Sequence, residues 1–467
     1  MQSTSVPTQD RTLFRLLWSV VFGAIVGGMN STLVATVLPA LVHAFHQPYD
    51  VAQWLASIYT LVQAVLVLPM GRLSDQIGQA RVFRIGVWLF FVTSAAAALA
   101  PSFPLLLGLR ALQAVAGSMI MASVPAWLAL RYPPDQRGRA LGTFAMAVYI
   151  GLSFGPLVGG FLVARWGWPG AFWINLPLLA ASLLLLPRSH PAPASQPVRV
   201  DGWGSALLAV TLGGGLLGWS QGLGQGWTMA AIGEVVASAV AGILFVRLEL
   251  GHPDPLLDVR LFAHPAVRNG NLAVLLNYVA MFFFYLLVPA WLAETAHVGL
   301  SRIGLMMTVT PVVMLGISRW AGGWSDRRGT RLPTTLGLLI FAAGLGWIAH
   351  WPDRPLWLLV PPLLTIGIGL GLFTAPIQSA VLGATPRHRQ GMMAGTLGAV
   401  RYVGQALGVA IAGALYTAWS KPPGSGAGAF SAVLMVATGL ALLGAWAAYR
   451  TTPGRLASRP LAEAAGD

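Results

Sequence analysis

The chain has 467 residues, 56% of them hydrophobic and only 9% charged, with 28 basic against 14 acidic side chains and a formal net charge of +14. That much apolar surface exceeds what a water-soluble globule buries, and the long, nearly uncharged runs suit membrane helices of roughly 20 residues rather than alternating barrel strands. Cysteine is absent, which excludes disulfides and thiolate chemistry, and the scattered basic residues form no aromatic-interleaved surface for nucleic acid.

In chain order, Arg11 and Arg15 precede an apolar run over 16–41, too long for a signal-peptide core and therefore read as a retained first span. Further spans are predicted at 51–70, 83–101, 104–130, 140–164, 170–187, 203–221, 228–246, 270–293, 303–321, 332–351, 356–380, 394–419 and 429–449, which makes fourteen. An even count puts both termini on one side. That side collects Arg72, Arg81, Arg84, Arg131, Arg137, Arg139, Arg247, Arg260, Arg268, Arg327, Arg328, Arg387, Arg389 and Arg450 among others, while the opposite side holds only Arg165, Arg302, Arg354 and Lys421. The positive-inside rule then makes both termini cytoplasmic. Lys421 is the sole lysine and no phosphate-binding glycine loop precedes it, which argues against nucleotide-driven transport.

The predicted fifth span carries Gly151-Leu-Ser-Phe-Gly155-Pro156-Leu-Val-Gly159-Gly160. Glycines four apart line one helix face and admit a close neighbour, and Pro156 removes a helix hydrogen bond and invites a kink. One such glycine pair alone is ordinary helix packing; the full string is more specific.

Two motifs recur. Gly71-Arg-Leu-Ser-Asp75-Gln-Ile-Gly78 returns as Gly322-Gly-Trp-Ser-Asp326-Arg-Arg-Gly329, both copies expected in short cytoplasmic loops, and Gly142-Thr143, Tyr149, Gly151 and Gly155 line up with Gly395-Thr396, Tyr402, Gly404 and Gly408. The chain thus reads as two homologous halves: a six-helix bundle over 1–190, two inserted helices with linkers over 191–265, a second six-helix bundle over 266–450, and a tail over 451–467. Parallel repeats of this kind place a substrate cavity between the halves near the bilayer midplane.

With Trp54 and Tyr59 in span 2, Arg110, Gln113 and Gly117 in span 4, and Trp173-Ile-Asn175-Leu-Pro177 entering span 6, nearly the whole chain resembles the major facilitator superfamily, specifically its fourteen-spanner drug:proton antiporter branch of multidrug exporters. The resemblance implies an all-α membrane fold and a rocker-switch exporter of small lipophilic molecules that exchanges them for protons. It assigns Gly71, Asp75, Gly78, Arg81 and Asp326 to gating, and Gly151, Gly155, Pro156, Gly159 and Gly160 to the antiporter motif. It also places Arg110 beside a carboxylate that exchanges protons.

Here the chain departs from the pattern. Where that branch usually carries an aspartate in span 1, this sequence reads Met29-Asn30-Ser31-Thr32, and Asn30 cannot titrate. Of the 14 carboxylates, only Glu234 falls well inside a predicted span, and that span belongs to the inserted pair. Glu294 with His297, the pair His43 and His46, and Asp75 remain as peripheral proton carriers.

The residues expected to line a substrate or coupling cavity are Asn30, Arg110, Gln113, Asn277, Tyr278, Tyr285, Glu294, Arg401, Tyr402 and Gln405, with Arg319 a weaker candidate near the interface. An arginine inside a span must be paired or face a cavity, because lipid exposure costs several kcal/mol. Two readings of specificity stay open. An electropositive cavity with Arg110 and Arg401 favours anionic or neutral substrates, whereas the aromatics of span 9 (Tyr278, Phe282, Phe283, Phe284, Tyr285, Trp291) would hold lipophilic cations. Four consecutive aromatics point around a helix, so some meet lipid or packing partners in either case.

No metalloprotease string, intramembrane carboxylate pair or cofactor motif is present, so the sequence reads as a non-enzymatic, cofactor-free monomer whose partners are a small-molecule substrate, protons and the lipid bilayer of the inner membrane. A facilitator or exchanger without proton coupling is the alternative within transport, and a non-transporting membrane sensor the alternative class.

Overall fold

The computed structural model describes residues 8–187, 202–251, 255, 257–294, 298–350, 356–385, 390–420 and 426–451, and all regular structure among them is helical. The first half contains α1 (Thr8–Phe45), a short α2 (Tyr49–Ala52), α3 (Trp54–Ile77), α4 (Gln79–Ala98), α5 (Phe103–Arg131), α6 (Pro134–Trp166), a short α7 (Gly170–Trp173) and α8 (Asn175–Leu185). Next come α9 (Gly202–Gln225) and α10 (Met229–Gly251). The second half contains α11 (Pro265–Glu294), α12 (Leu300–Arg328), α13 (Arg331–Ala349), α14 (Val360–Gly383), α15 (Gln390–Trp419) and α16 (Gly426–Tyr449).

Twelve helices among the described residues are long and apolar enough to cross a membrane. The expected count of fourteen also needs α9 and the span at 170–187, and neither is in that set; the latter is divided at Ile174 into α7 and the eleven-residue α8. Helices are the required solution in a bilayer, where every backbone N–H and C=O must be paired internally. On α10 the outward face is bare and apolar, with Ile232, Val236, Val240 and Ile243 exposed, as a lipid-facing helix requires.

Within the first half α1 lies along α6 and α8, and α5 along α3 and α4; within the second, α11 lies along α15 and α16, and α14 along α12 and α13. The halves meet where α6 packs on α12, α3 on α15 and α1 on α11, while α9 pairs with α10 and leans on α15 and α3. Because α11 touches α1, α12, α14, α15 and α16, it is enclosed on all sides. That enclosure accounts for Phe282, Phe283 and Phe284 being fully buried together, although three successive residues point in different directions.

The duplicated motifs differ from expectation in one respect. Both were expected in loops, yet α3 continues to Ile77 and α12 to Arg328, so each motif is a last helical turn closed by a single glycine. Gly78 (φ 96°) and Gly329 (φ 85°) adopt positive φ, which a residue with a Cβ resists, and their N–H groups donate back to Ser74 O (3.0 Å) and Ser325 O (2.8 Å).

Candidate functional site

The glycine ladder on α6 packs against α1. A Cβ at Gly155 would lie 2.5 Å from Thr32 Oγ1 and 2.9 Å from Met29 O, and one at Gly151 would overlap the Ile25 carbonyl, so only glycine allows this approach. The second half repeats the contact with α15 on α11: a Cβ at Gly404 would be 2.9 Å from Leu275 O, and one at Gly408 2.7 Å from Val279 O. Gly159 is looser, 3.1 Å from the Leu33 side chain, and Gly160 is buried.

Helix α6 runs on through Pro156, which has no N–H to offer the Leu152 carbonyl one turn earlier. The Thr32 hydroxyl of α1 donates to that carbonyl at 2.9 Å, so the neighbouring helix satisfies the acceptor that proline orphans.

Arg110 of α5 is fully buried inside the first half and is held by neutral oxygens. Its Nε donates to Leu55 O (3.1 Å), one terminal nitrogen donates to Asn30 Oδ1 (3.2 Å) and Gln113 Oε1 (2.9 Å), and the other donates to Asn30 O (3.3 Å). Its guanidinium also lies 4.3 Å from the centre of the Tyr59 ring. The network extends from Asn30 Nδ2 to Asn175 Oδ1 (2.8 Å), and both Gln113 Nε2 (3.0 Å) and Asn175 Nδ2 (3.2 Å) donate to Ser94 Oγ. Asn30 thus occupies the place beside Arg110 where the resembled branch has a carboxylate. A neutral amide there leaves the buried positive charge uncompensated while still meeting its hydrogen bonds.

A separate small cavity opens between α6, α11, α12 and α14. Its polar lining is Tyr149, Asn277, Tyr278, Tyr285 and Thr374, and its apolar lining includes Met281, Met314, Leu370 and Pro311. Tyr149 accepts a hydrogen bond from Gln378 Nε2 of α14 at 3.0 Å, whereas Asn277 Oδ1 is buried and accepts none from the described residues. Helix α15 packs behind the cavity wall, where a Cβ at Gly404 would lie 2.8 Å from Tyr278 Cβ, and one turn earlier the guanidinium of Arg401 is 4.9 Å from the centre of the Tyr402 ring. Tyr402 is buried in the same apolar cluster as Tyr59, so a run of aromatic and basic side chains links the Arg110 network to the cavity. Gln405, one turn beyond Arg401, is buried with its Oε1 unpartnered among the described residues.

The sequence pattern of the Major Facilitator Superfamily matches residues 20–262 and 271–466. The chain belongs to the major facilitator superfamily. Multidrug resistance protein Stp of Mycobacterium tuberculosis (strain CDC 1551 / Oshkosh) is 29% identical over 413 residues, covering 88% of this chain and 77% of that protein. Riboflavin transporter RibZ of Clostridioides difficile (strain 630) is 28% identical over 400 residues, covering 84% and 87%. The fold is shared with the crystal structure of an auto-inhibited POT family peptide transporter, at a TM-score of 0.69 and 15% identity over 96% of this chain and 99% of that one. As a member of this superfamily the protein is a multi-pass membrane transporter and not an enzyme.

Within the superfamily frame, the structure divides the expected cavity residues. Asn277, Tyr278 and Tyr285 share the cavity, Arg401, Tyr402 and Gln405 are not among its lining residues, and Asn30, Arg110 and Gln113 form the enclosed network of the first half. Of the residues expected to act in gating, Asp75 is half-buried and accepts from Gln79 Nε2 at 3.2 Å, Arg81 is exposed, and Gly71 has open space around it. The neighbouring Arg72 donates to Pro255 O at 2.6 Å, tying this helix end to the segment after α10. His43 and His46 are exposed; His297 and the side chains of Glu294, Arg319 and Asp326 lie outside the described residues.

Tyr149, Thr374, Met281 and Met314 were missed as cavity residues, as were Ser94 and Asn175 in the Arg110 network. For Tyr149 a signal existed, since it aligns with Tyr402 in the repeat. The methionines carried none, because an apolar residue on a lipid face and one on a cavity wall look alike in sequence.

Proposed function

We propose that this protein exports small, drug-like molecules by alternating access, exchanging them for protons. The observation that carries the reading is the cavity between α6 of one half and α11, α12 and α14 of the other, since a site at the junction of two repeats is where rocking exposes a substrate to either side. The relative named a multidrug resistance protein supports a broad, lipophilic substrate range, and the one named a riboflavin transporter supports a polar aromatic one.

In this reading α7 and α8 together form the sixth span and α9 the seventh, which gives fourteen spans: bundles over 1–190 and 266–450, an inserted pair between them, and a tail after 450. Arginine distribution supports cytoplasmic termini in an inner membrane. Asp75 with Gly78, and Asp326 with Gly329, act as paired hinges at the cytoplasmic ends of α3 and α12, and the chain works as a monomer.

A second reading, exchange or facilitation without protons, is favoured by one observation: among the described residues every hydrogen-bond partner of Arg110 is neutral. Dye flux in proteoliposomes under an imposed pH gradient separates the two, with native protein compared with Asn30→Asp. Flux that follows the gradient in the native protein supports proton exchange through a peripheral acid. Saturable flux that ignores the gradient until Asn30→Asp is introduced withdraws the proton and keeps the transporter.

A further inference from the structure

Two guanidinium groups gather at one end of the second half. Helix α13 begins at Arg331 and α16 ends at Tyr449, and the two run antiparallel in contact: a Cβ at Gly444 would lie 3.3 Å from Leu338 Cδ1, and one at Gly346 3.6 Å from Thr438 Cγ2. This register sets the first turn of α13 against the last turn of α16. There the Arg331 guanidinium stands 3.7 Å from the centre of the Tyr449 ring, and the Arg450 guanidinium 4.3 Å from that of Trp446. Trp446 and Tyr449 are three residues apart on one face of α16, so both positive charges collect over a single helical turn. The end of that helix is held in place, since Asn269 Nδ2 of α11 donates to Arg450 O at 3.0 Å.

The protein does not neutralise these charges. Among the described residues neither guanidinium donates to a carboxylate, and Arg331 Nε is buried without an acceptor. The missing partner is therefore a hydrogen-bond acceptor carrying negative charge. Helix α13 adds the positive end of its dipole at the same place, because its cap residue Thr330 makes no side-chain cap hydrogen bond.

Below the charges the surface is apolar and bare. Leu332, Leu336 and Leu339 line one face of α13, and Leu442 and Leu443 continue from Trp446 along α16, all of them exposed. Trp and Tyr at a helix end mark the bilayer interface, so the two arginines stand at headgroup depth with an acyl-chain surface beside them. This is the arginine-rich end of the bundle.

We propose that the groove between α13 and α16 binds an anionic phospholipid, its phosphodiester held by Arg331 and Arg450 and its acyl chains lying along the exposed leucines of both helices. A zwitterionic lipid is disfavoured, because its ammonium group would lie against the same two guanidiniums that hold the phosphate. The site is apart from the cavity and does not depend on which molecule is transported.

Native mass spectrometry of the purified full-length protein supplies the test. Delipidated protein in detergent is titrated with dioleoylphosphatidylglycerol or dioleoylphosphatidylcholine, which share acyl chains and differ in headgroup charge. A basic residue at a charged lipid surface contributes roughly fivefold in affinity, so the first phosphatidylglycerol is expected to bind about tenfold more tightly than the first phosphatidylcholine. Arg331→Gln with Arg450→Gln, checked for unchanged thermal unfolding, is expected to lose about tenfold for phosphatidylglycerol and less than about twofold for phosphatidylcholine. Arg331→Lys with Arg450→Lys is expected to keep most of the affinity. Arg11→Gln with Arg84→Gln removes two exposed arginines elsewhere, and the same net charge, and is expected to stay within about twofold of native.

Equal affinity for the two lipids, native-like phosphatidylglycerol binding by the folded glutamine pair, or an equal loss in the Arg11 and Arg84 control overturns the proposal. Displacement of the lipid by millimolar inorganic phosphate assigns the site to a free anion and also overturns it. Should the glutamine pair unfold, Arg450→Gln alone decides together with the two-lipid comparison, since that side chain is exposed and its loss is expected to cost roughly fivefold.

Discussion

Tyr149 and Tyr402 hold equivalent positions in the two halves, each two residues before the first packing glycine of its helix, and each faces the opposite half: Tyr149 accepts from Gln378 of α14, and Tyr402 lies beside Tyr59 of α3. The internal repeat is therefore also a pair of cross-links. It brings the cavity wall and the Arg110 network into one aromatic path, although the two sites are separate.

Removing the Tyr149 hydroxyl tests the cavity end of that path. Tyr149→Phe loses the hydrogen bond from Gln378, about 0.5–1.5 kcal/mol for a neutral pair, so the KM for transported substrate is expected to rise roughly two- to tenfold. Thermal unfolding in the same lipid is expected to move little. A variant with lowered stability and unchanged KM would assign the hydroxyl to folding instead.

The glycine ladders make a prediction about stability. Gly155→Ala and Gly408→Ala each drive a Cβ into the backbone of the facing helix, at 2.9 Å from Met29 O and 2.7 Å from Val279 O, and each is expected to cost about 1–3 kcal/mol. Gly71→Ala meets nothing within 4 Å and serves as the control, expected to be neutral or slightly stabilising within a helix. Thermal unfolding of the three variants checks this; similar midpoints for all three would remove the close-approach argument.

Thr32 and Pro156 are expected to couple. Thr32→Val leaves the Leu152 carbonyl without its donor, at about 1–3 kcal/mol, whereas Thr32→Ser keeps the hydroxyl. Pro156→Ala restores an N–H to the same carbonyl, so the double variant Thr32→Val with Pro156→Ala is expected to recover most of the loss. A double-mutant cycle on unfolding midpoints reads this directly, and additive effects would show that the carbonyl does not link the two residues.

Gly78 isolates backbone conformation from packing. Gly78 is in open space with positive φ, so Gly78→Ala is expected to cost about 1–3 kcal/mol from strain alone. Gly329→Ala is expected to behave alike, since its φ of 85° is close to the 96° of Gly78. If neither lowers the unfolding midpoint, the turn is not held in the positive-φ region in the membrane.

Local chemistry made much of the architecture legible from the chain. Apolar runs marked the spans because a bilayer admits few other solutions, and the repeat of Tyr149, Gly151 and Gly155 as Tyr402, Gly404 and Gly408 announced two equivalent helix contacts that the structure realises on α1 and α11. The glycine motifs were expected in loops, whereas the helices reach further than hydropathy suggests, because the backbone stays helical through the polar residues Ser74, Asp75 and Gln76 until Gly78 turns it.

What sequence could not separate was one apolar face from another. Lipid, a partner helix and a cavity wall all ask for similar side chains, so the periodicity of α11 gave no means of knowing that Phe282, Phe283 and Phe284 are enclosed while Tyr278 and Tyr285 meet empty space. The sequence by itself determined a membrane-embedded helical repeat with two intramembrane arginines and an asparagine where a carboxylate was expected. Only the tertiary structure decided that Arg110 is enclosed by neutral oxygens and that Tyr149 shares a cavity with Tyr278 and Tyr285, because those neighbours come from helices far apart in the chain.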